Sequence, residues 1–293
     1  MLLIYFQRSY WLKNNKEGKL TIVSLPIGNL KDITIRALEE LQSSDLIFCE
    51  DTRITIKLLN HYNIKNKLMS YHEHSDTSTR KFIVDQINKG KNISLVSDAG
   101  TPLISDPGYK LVKELKKKNL SVTSCPGPSS PITALTLSGL PSDKFFFSGF
   151  LPVKTKAKKD YLLEIKDIES TIIFFESSNR LVKSLELILE IFGDRNISIC
   201  RELTKKFEEV LTLKVSEIIK NLSSRDNIKG EIIIVIEGEV KKDKPQNLEA
   251  ILGDALKSMS LSDAAKEISK YTNFSKKEVY NAALDLKGKK NES

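Results

Sequence analysis

Reactive side chains in this sequence gather in three loops rich in Gly, Pro, Ser and Asp. Each follows a short β-branched run: Pro26-Ile27-Gly28-Asn29, then Ser97-Asp98-Ala99-Gly100-Thr101-Pro102 continuing to Gly108, then Pro126-Gly127-Pro128-Ser129-Ser130. Ordinary turns use the same residue types, and either short loop alone reads as a turn. The middle loop does not, because it runs from residue 97 to residue 108 where a strand-to-helix connection needs about two to six residues. Neither G-x-G-x-x-G nor G-x-x-x-x-G-K-[ST] occurs, so the backbone cradles for a dinucleotide or a nucleoside triphosphate are missing. A small ligand without a pyrophosphate fits better. Polar side chains also collect at Glu50-Asp51-Thr52-Arg53 and at Glu176-Ser177-Ser178-Asn179-Arg180. Both stretches read equally well as helix caps with an ion pair. His72-Glu73-His74 lacks a third ligand at metal spacing, so no metal is expected.

The elements that carry these loops alternate strand and helix from residue 20 onward, the pattern of an α/β domain with a largely parallel sheet. Leu20 to Leu25, Leu46 to Cys49, Ile93 to Val96 and Leu120 to Ser124 are the strands expected in a first domain over residues 20–140. Asp32 can cap a helix whose Ile35, Leu38 and Leu41 share one face; a short helix ends near Asn60 and another runs through Gln86. Turn chemistry at Gly139-Leu140-Pro141-Ser142-Asp143 opens a second α/β domain over 141–240. Its expected strands are Phe145 to Phe150, Thr171 to Phe175, Ile197 to Cys200 and Glu231 to Ile236, with a helix from Asn179 to Phe192. Residues 241–293 read as a linker, Lys241 to Pro245, and a helix-turn-helix-like tail. There Ser262 caps one helix and Ser275-Lys276-Lys277-Glu278 forms a capping box for the next. Residues 1–19 show neither period and are expected to be a disordered or mis-started extension. Ligands of open α/β sheets bind beyond the carboxyl ends of the strands, where backbone N–H groups come free, so the three loops should line one edge.

A chain of 293 residues, 40% hydrophobic, has room for two domain cores. Its 46 Lys+Arg against 38 Asp+Glu give a net charge of +8 and a pI near 9.1. That balance suits a polyanion, although lysine-rich solvated faces give the same excess. No apolar run approaches the ~20 residues of a membrane span, and the opening Met-Leu-Leu-Ile-Tyr-Phe precedes its basic residues, the reverse of a signal peptide. Cys49, Cys125 and Cys200 are odd in number and far apart, which points to a reducing cytoplasm.

Taken in order, Leu25-Pro26-Ile27-Gly28-Asn29-Leu30, Glu50-Asp51-Thr52-Arg53, the Ser97 to Gly108 loop, Pro126-Gly127-Pro128, Gly149-Phe150-Leu151-Pro152, Phe175-Glu176-Ser177, Arg201-Glu202-Leu203-Thr204-Lys205 and Gly230-Glu231 make a specific set. From about residue 20 to the end the chain resembles the ribosomal RNA 2′-O-methyltransferases of the tetrapyrrole-methylase superfamily. The resemblance implies a two-domain α/β fold, usually a homodimer, with S-adenosylmethionine in the cleft between the domains. It implies as target one cytidine ribose in the decoding region of 16S rRNA within the small ribosomal subunit, with no DNA or membrane partner. Carried over by position, Pro26, Ile27, Gly28, Asn29, Asp98, Ala99, Gly100, Thr101, Pro102, Thr133, Ala134, Phe175 and Glu176 would surround the cofactor. The sequence departs from the family's pattern at Ser75, where asparagine is usual, at Asn179, where histidine commonly precedes the arginine, and in its first 19 residues.

Methyl transfer from a sulfonium to a ribose hydroxyl needs alignment, exclusion of water and a group to take the hydroxyl proton. Glu50, Asp51, Asp98, His72 and Glu176 are the eligible groups. Asp51 with Arg53 as partner, beside Glu50, is the favoured set, and Asp98 is assigned to cofactor recognition. Lys154, Lys156, Lys158 and Lys159 read as an RNA-contacting flap, with Lys205 as a further contact. Two other readings remain at this point: methylation of a tetrapyrrole or other small molecule, and a non-catalytic RNA-binding assembly factor.

Overall fold

The computed structural model describes residues 18–72, 77–225, 227–239, 248–271 and 274–291. The chain divides into two compact units after Glu239. In the first half of the larger unit, strands β1 (Lys19–Val23), β2 (Leu46–Cys49), β3 (Leu68–Ser70), β4 (Asn92–Leu95) and β5 (Ser121–Cys125) alternate with helices α1 (Ile35–Ser43), α2 (Thr52–His61), α3 (Thr77–Asn88) and α4 (Tyr109–Lys117). All pairs in the sheet, ordered β3-β2-β4-β1-β5, are parallel. Every carboxyl end therefore lies on one edge, which is what brings the loops together. Apolar residues cover both faces, Leu20, Phe48 and Ile93 on one and Val23, Ile47 and Leu59 on the other.

Helix α5 (Ser130–Ser138) leads into β6 (Phe145–Phe150), α6 (Thr155–Ile165), β7 (Thr171–Ser177), α7 (Leu181–Phe192), β8 (Asn196–Arg201), β9 (Glu209–Lys214), α8 (Val215–Ser223) and β10 (Glu231–Ile236). This sheet, ordered β6-β7-β10-β8-β9, is parallel only between β6 and β7. The short β8–β9 connection forces a hairpin, and β10 inserts antiparallel between β7 and β8. Strand alternation sorts its side chains. Ile172, Phe174 and Ile234 face α6, α7 and α8. Ile173, Ile233 and Val235 face α5 and the Ile27 side chain of the first loop. That shared core joins the two sheets, each fully buried Ile or Val contributing about 1.5–3 kcal/mol.

Several expectations shift. Lys19 opens β1 and the Gly18 N–H donates to Ile87 O (3.2 Å), so the proposed extension cannot reach residue 19; residues 1–17 lie outside the described chain. Strands β3 and β9 and helix α6 were not foreseen. Asn179 and Arg180 form a 3₁₀ turn ahead of α7. In the second unit, α9 (Leu248–Ala255), α10 (Leu261–Tyr271) and α11 (Lys276–Asn291) enclose Leu252, Ala264, Ala265, Ile268, Val279 and Ala283. Ser260 rather than Ser262 caps α10, its hydroxyl oxygen accepting from the Asp263 N–H (3.2 Å). Ser275 and Glu278 form the capping box as read, with the Ser275 N–H donating to Glu278 Oε2 (2.7 Å) and the Glu278 N–H to Ser275 Oγ (3.3 Å).

Candidate active site

The three loops are stitched together at the end of β1. Leu25 and Gly100 exchange backbone hydrogen bonds of 2.8 and 3.0 Å. Ser24 Oγ and Thr101 Oγ1 lie 2.9 Å apart, and Thr101 Oγ1 donates to Pro128 O at 2.9 Å. Gly100 adopts φ +71°, a conformation natural to glycine. A Cβ on Gly28 would fall 2.5 Å from Lys205 Cγ and 2.9 Å from Leu203 O, because the 201–205 loop of the second half lies directly over the first loop. Backbone strain collects at the same place. Leu103 (φ 74°), Ser105 (φ 67°), Glu202 (φ 51°) and Thr204 (φ 65°) are all left-handed without being glycine, at about 1–3 kcal/mol each.

Two adjoining cavities result. The first, about 400 Å³, lies between Gly100, Thr101, Ser129 and Ser130 on one side and Phe175 and Ile233 on the other. Phe150 and Phe147 pack against Phe175 with ring centroids 5.0 and 5.2 Å away. The second, about 310 Å³, is formed by Pro26, Gly28 and Leu30, by Asp98, and by Ile54, Thr55, Lys57 and Leu58 of α2. Ile27, Ala99 and Glu231 border both.

Of the residues carried over to the cofactor, Ile27, Ala99, Gly100, Thr101, Phe175 and Glu176 line the first cavity, while Pro26, Gly28 and Asp98 line the second. Asn29 instead caps the 3₁₀ turn after the first loop, its Oδ1 accepting from the Lys31 N–H (3.1 Å), and Pro102 is buried beside the loop. Thr133 and Ala134 are on neither cavity wall. The Thr133 hydroxyl donates to Ser129 O (2.9 Å), and Ala134 is fully buried in the joining core. Ser129, Ser130 and Pro131, one turn earlier, take their place on the cavity wall. Phe150, Cys200, Ile232 and Ile233, also on that wall, went unnoticed in the sequence because each sits inside an apolar strand. The signal available was strand alternation, which puts Cys200 of β8 and Ile233 of β10 on the face toward α5.

Asp51 caps α2. Its carboxylate accepts from the Arg53 N–H (2.8 Å) and the Arg53 guanidinium, and these bonds hold its pKa at about 2. A carboxyl so acidic is a weak proton acceptor, so the Asp51 and Arg53 pair that the sequence favoured serves as a cap. Glu50, Asp98 and Asp106 behave oppositely. Burial pushes each up, and the neighbouring carboxylates add to it; His72 lies close enough to Glu50 to oppose the rise. The Asp51 N–H donates to Asp98 Oδ1 (3.0 Å). Burial likewise raises the Cys200 thiol, to about 11. No cluster of His, Cys, Asp and Glu suited to a metal occurs among the described residues; Glu73, His74 and Ser75 lie outside them.

Glu176 is not presented to the cavity by its side chain, which is fully buried on the α6 and α7 face. Its carboxylate accepts from Lys158 Nζ (2.8 Å), Ser184 Oγ (2.5 Å), the Ser177 N–H (2.8 Å) and Arg180 Nε (2.8 Å). Burial raises its pKa, but these donors outweigh burial and leave it below the usual carboxylate range. Lys158 is only 4% exposed, so the expected RNA contact there is corrected: the ammonium is spent inside the fold. Lys154 and Lys156 are exposed. Lys159 pairs with Glu190 (2.6 Å), and Lys205 with Glu202 (2.9 Å) and Glu231 (3.1 Å).

Two α/β halves closed around such a cavity form the architecture of a known class: the model of the Tetrapyrrole (Corrin/Porphyrin) Methylases matches residues 19–219, and the RsmI C-terminal HTH domain matches residues 242–287. The crystal structure of diphthine synthase superposes with a TM-score of 0.59 at 17% identity, covering 76% of this chain and 91% of that one. In sequence the chain is 48% identical to the ribosomal RNA small subunit methyltransferase I of Rickettsia prowazekii, over 89% of this chain and 94% of that protein. It is 43% identical to the protein of the same name from Mesorhizobium japonicum, over 92% and 93%. The chain belongs to the ribosomal RNA small subunit methyltransferase I family and is a methyltransferase.

Proposed function

We propose that the chain methylates the ribose 2′-hydroxyl of a cytidine in the decoding region of 16S rRNA, within the small ribosomal subunit, with S-adenosylmethionine held in the first cavity. The observation that carries this reading is the convergence of the three strand-end loops on one cavity, in a chain whose relatives bear the name of an rRNA methyltransferase. The cavity suits the cofactor. Its volume of about 400 Å³ falls in the usual range for small-molecule sites, about 300–1,000 Å³. Phe175 and Ile233 offer apolar surface, and Ser129, the N-cap of α5, makes no side-chain cap bond, so the Ser130 and Ile132 N–H groups, on either side of Pro131, remain for a carboxylate. Bound there, S-adenosylmethionine supplies an electrophilic sulfonium methyl.

The protein's own part is alignment, exclusion of water and acceptance of the hydroxyl proton. Asp98 fits the last task better than Asp51. Burial raises its pKa, and among the described residues nothing donates to its second oxygen once Oδ1 has accepted from Asp51. Lys154 and Lys156 are the phosphate contacts. A second copy of the chain would cover Phe145 and Phe146, 43% and 37% exposed on the edge strand β6. No helix among the described residues is long and apolar enough to cross a membrane. Incubating the purified chain with isotopically labelled S-adenosylmethionine and small subunits from cells lacking the gene tests the reading. Label on a single cytidine ribose is expected. Label only in an added porphyrinoid, or nowhere, would refute it.

A further inference from the structure

The proposed function fills the first cavity and draws only Asp98 from the second. Resting on that reading, we infer that the second cavity is the acceptor site: it takes one nucleotide splayed out of the RNA strand, with Lys57 on the adjoining phosphate.

Four observations lead there. In-line transfer places donor and acceptor on opposite sides of the moving methyl, and these two cavities adjoin through a shared wall at Ile27 and Ala99. At about 310 Å³ the second is large enough for one small ligand, and it is lined unlike the first. Leu30, Ile54 and Leu58 offer apolar contacts for the face of a base, while Asp98 supplies a carboxylate for a ribose hydroxyl. Enzymes acting on a nucleotide take it out of the stack and hold it by such mixed contacts. At the rim, Lys57 is exposed, with no ion pair among the described residues, in contrast to Lys158, Lys159 and Lys205. His61 lies one helical turn after it on the same exposed face of α2, while Arg53, one turn before, is bound to Asp51, so Lys57 and His61 form the row of donors along which a strand can run. This row, rather than the lysines of α6 alone, leads the RNA to the reacting centre.

Ile54→Trp and Lys57→Ala test the inference in the full chain. Ile54 is 43% exposed, so a larger side chain there projects into the cavity without entering the core. Expected for Ile54→Trp is a fall in kcat/KM on small subunits of ~100-fold, with the dissociation constant for S-adenosylhomocysteine unchanged in calorimetry. The unchanged cofactor affinity also reports an intact fold. For Lys57→Ala, KM for the subunit should rise ~5-fold at constant kcat, and the slope of log affinity against log salt should fall by about 0.9. Both variants turning over subunits like the unaltered chain would overturn the acceptor site while leaving the proposed function standing. Failure of the unaltered chain to label any subunit would overturn both. Loss of cofactor affinity in Ile54→Trp would place the cavity with the methyl donor and contradict the inference.

Discussion

Asp98 and Asp51 differ in what surrounds them, and that difference decides their roles. Both carboxylates follow a strand, yet Asp51 is tied to Arg53 and held at about 2, whereas burial lifts Asp98. Asp98→Asn preserves shape and removes the proton acceptor, so kcat should drop ~10²–10⁴-fold while cofactor affinity, read by calorimetry, stays within about 2-fold. Rate should also fall as pH drops through the raised Asp98 pKa, because the protonated carboxyl accepts nothing; a pH profile without that acidic limb would contradict the assignment. Gly28→Ala should act differently, because a Cβ there meets Leu203 O at 2.9 Å. The clash calls for a backbone shift worth about 1–3 kcal/mol, visible as a lower Tm. The glycine and proline signals at residues 26–29 and 97–108 were legible because turn chemistry is local. The Asp51 cap was legible as one of two readings, since Arg53 stands two residues away; the surroundings of Asp98 and Glu176 were not, because Asp51 and Lys158 lie 47 and 18 residues from them in sequence.

Helix α6 shows why an element escaped detection. Its buried stripe is Lys158, Leu162 and Ile165, and a lysine at a core position breaks the apolar period on which the reading relied. Strand β3 has three residues and β9 is a half-exposed edge, so neither forms an apolar run. Lys158 is tolerated in the core because Glu176 and Ser184 receive its charge and its hydrogen bonds. Removing one partner should therefore cost more than removing both. Lys158→Met should destabilise by about 3–5 kcal/mol, and Lys158→Met with Glu176→Leu should recover part of the loss; equal denaturation midpoints for the two would refute the pairing. Glu209 provides a pH handle on the same sheet. Hydrogen bonds from Arg225, against a smaller opposing effect of burial, and then from Arg201 bring it from 4.5 to about 2. Because the folded pKa is the lower one, its stabilisation is present above pH 4.5 and is lost as pH falls toward 2. Arg225→Ala should flatten the acid limb of stability measured by chemical denaturation.

On the scale of the whole molecule, every described residue that lines either cavity precedes Glu239. A chain ending at Glu239 should therefore bind S-adenosylhomocysteine as the full chain does, and calorimetry checks this. The alternating strands and helices made the first sheet readable, since parallel order places all carboxyl ends on one edge. The mixed order of the second sheet was not readable, because antiparallel insertion of β10 depends on contacts the local pattern does not encode. The central claim is that the first cavity holds the methyl donor against Thr101, Ser130, Phe175 and Ile233. A crystal structure of the full chain with S-adenosylhomocysteine measures this directly. The ligand's sulfur is expected within that cavity, facing the Ile27 and Ala99 wall; a ligand bound elsewhere on the molecule, with the cavity holding only water, would overturn the claim.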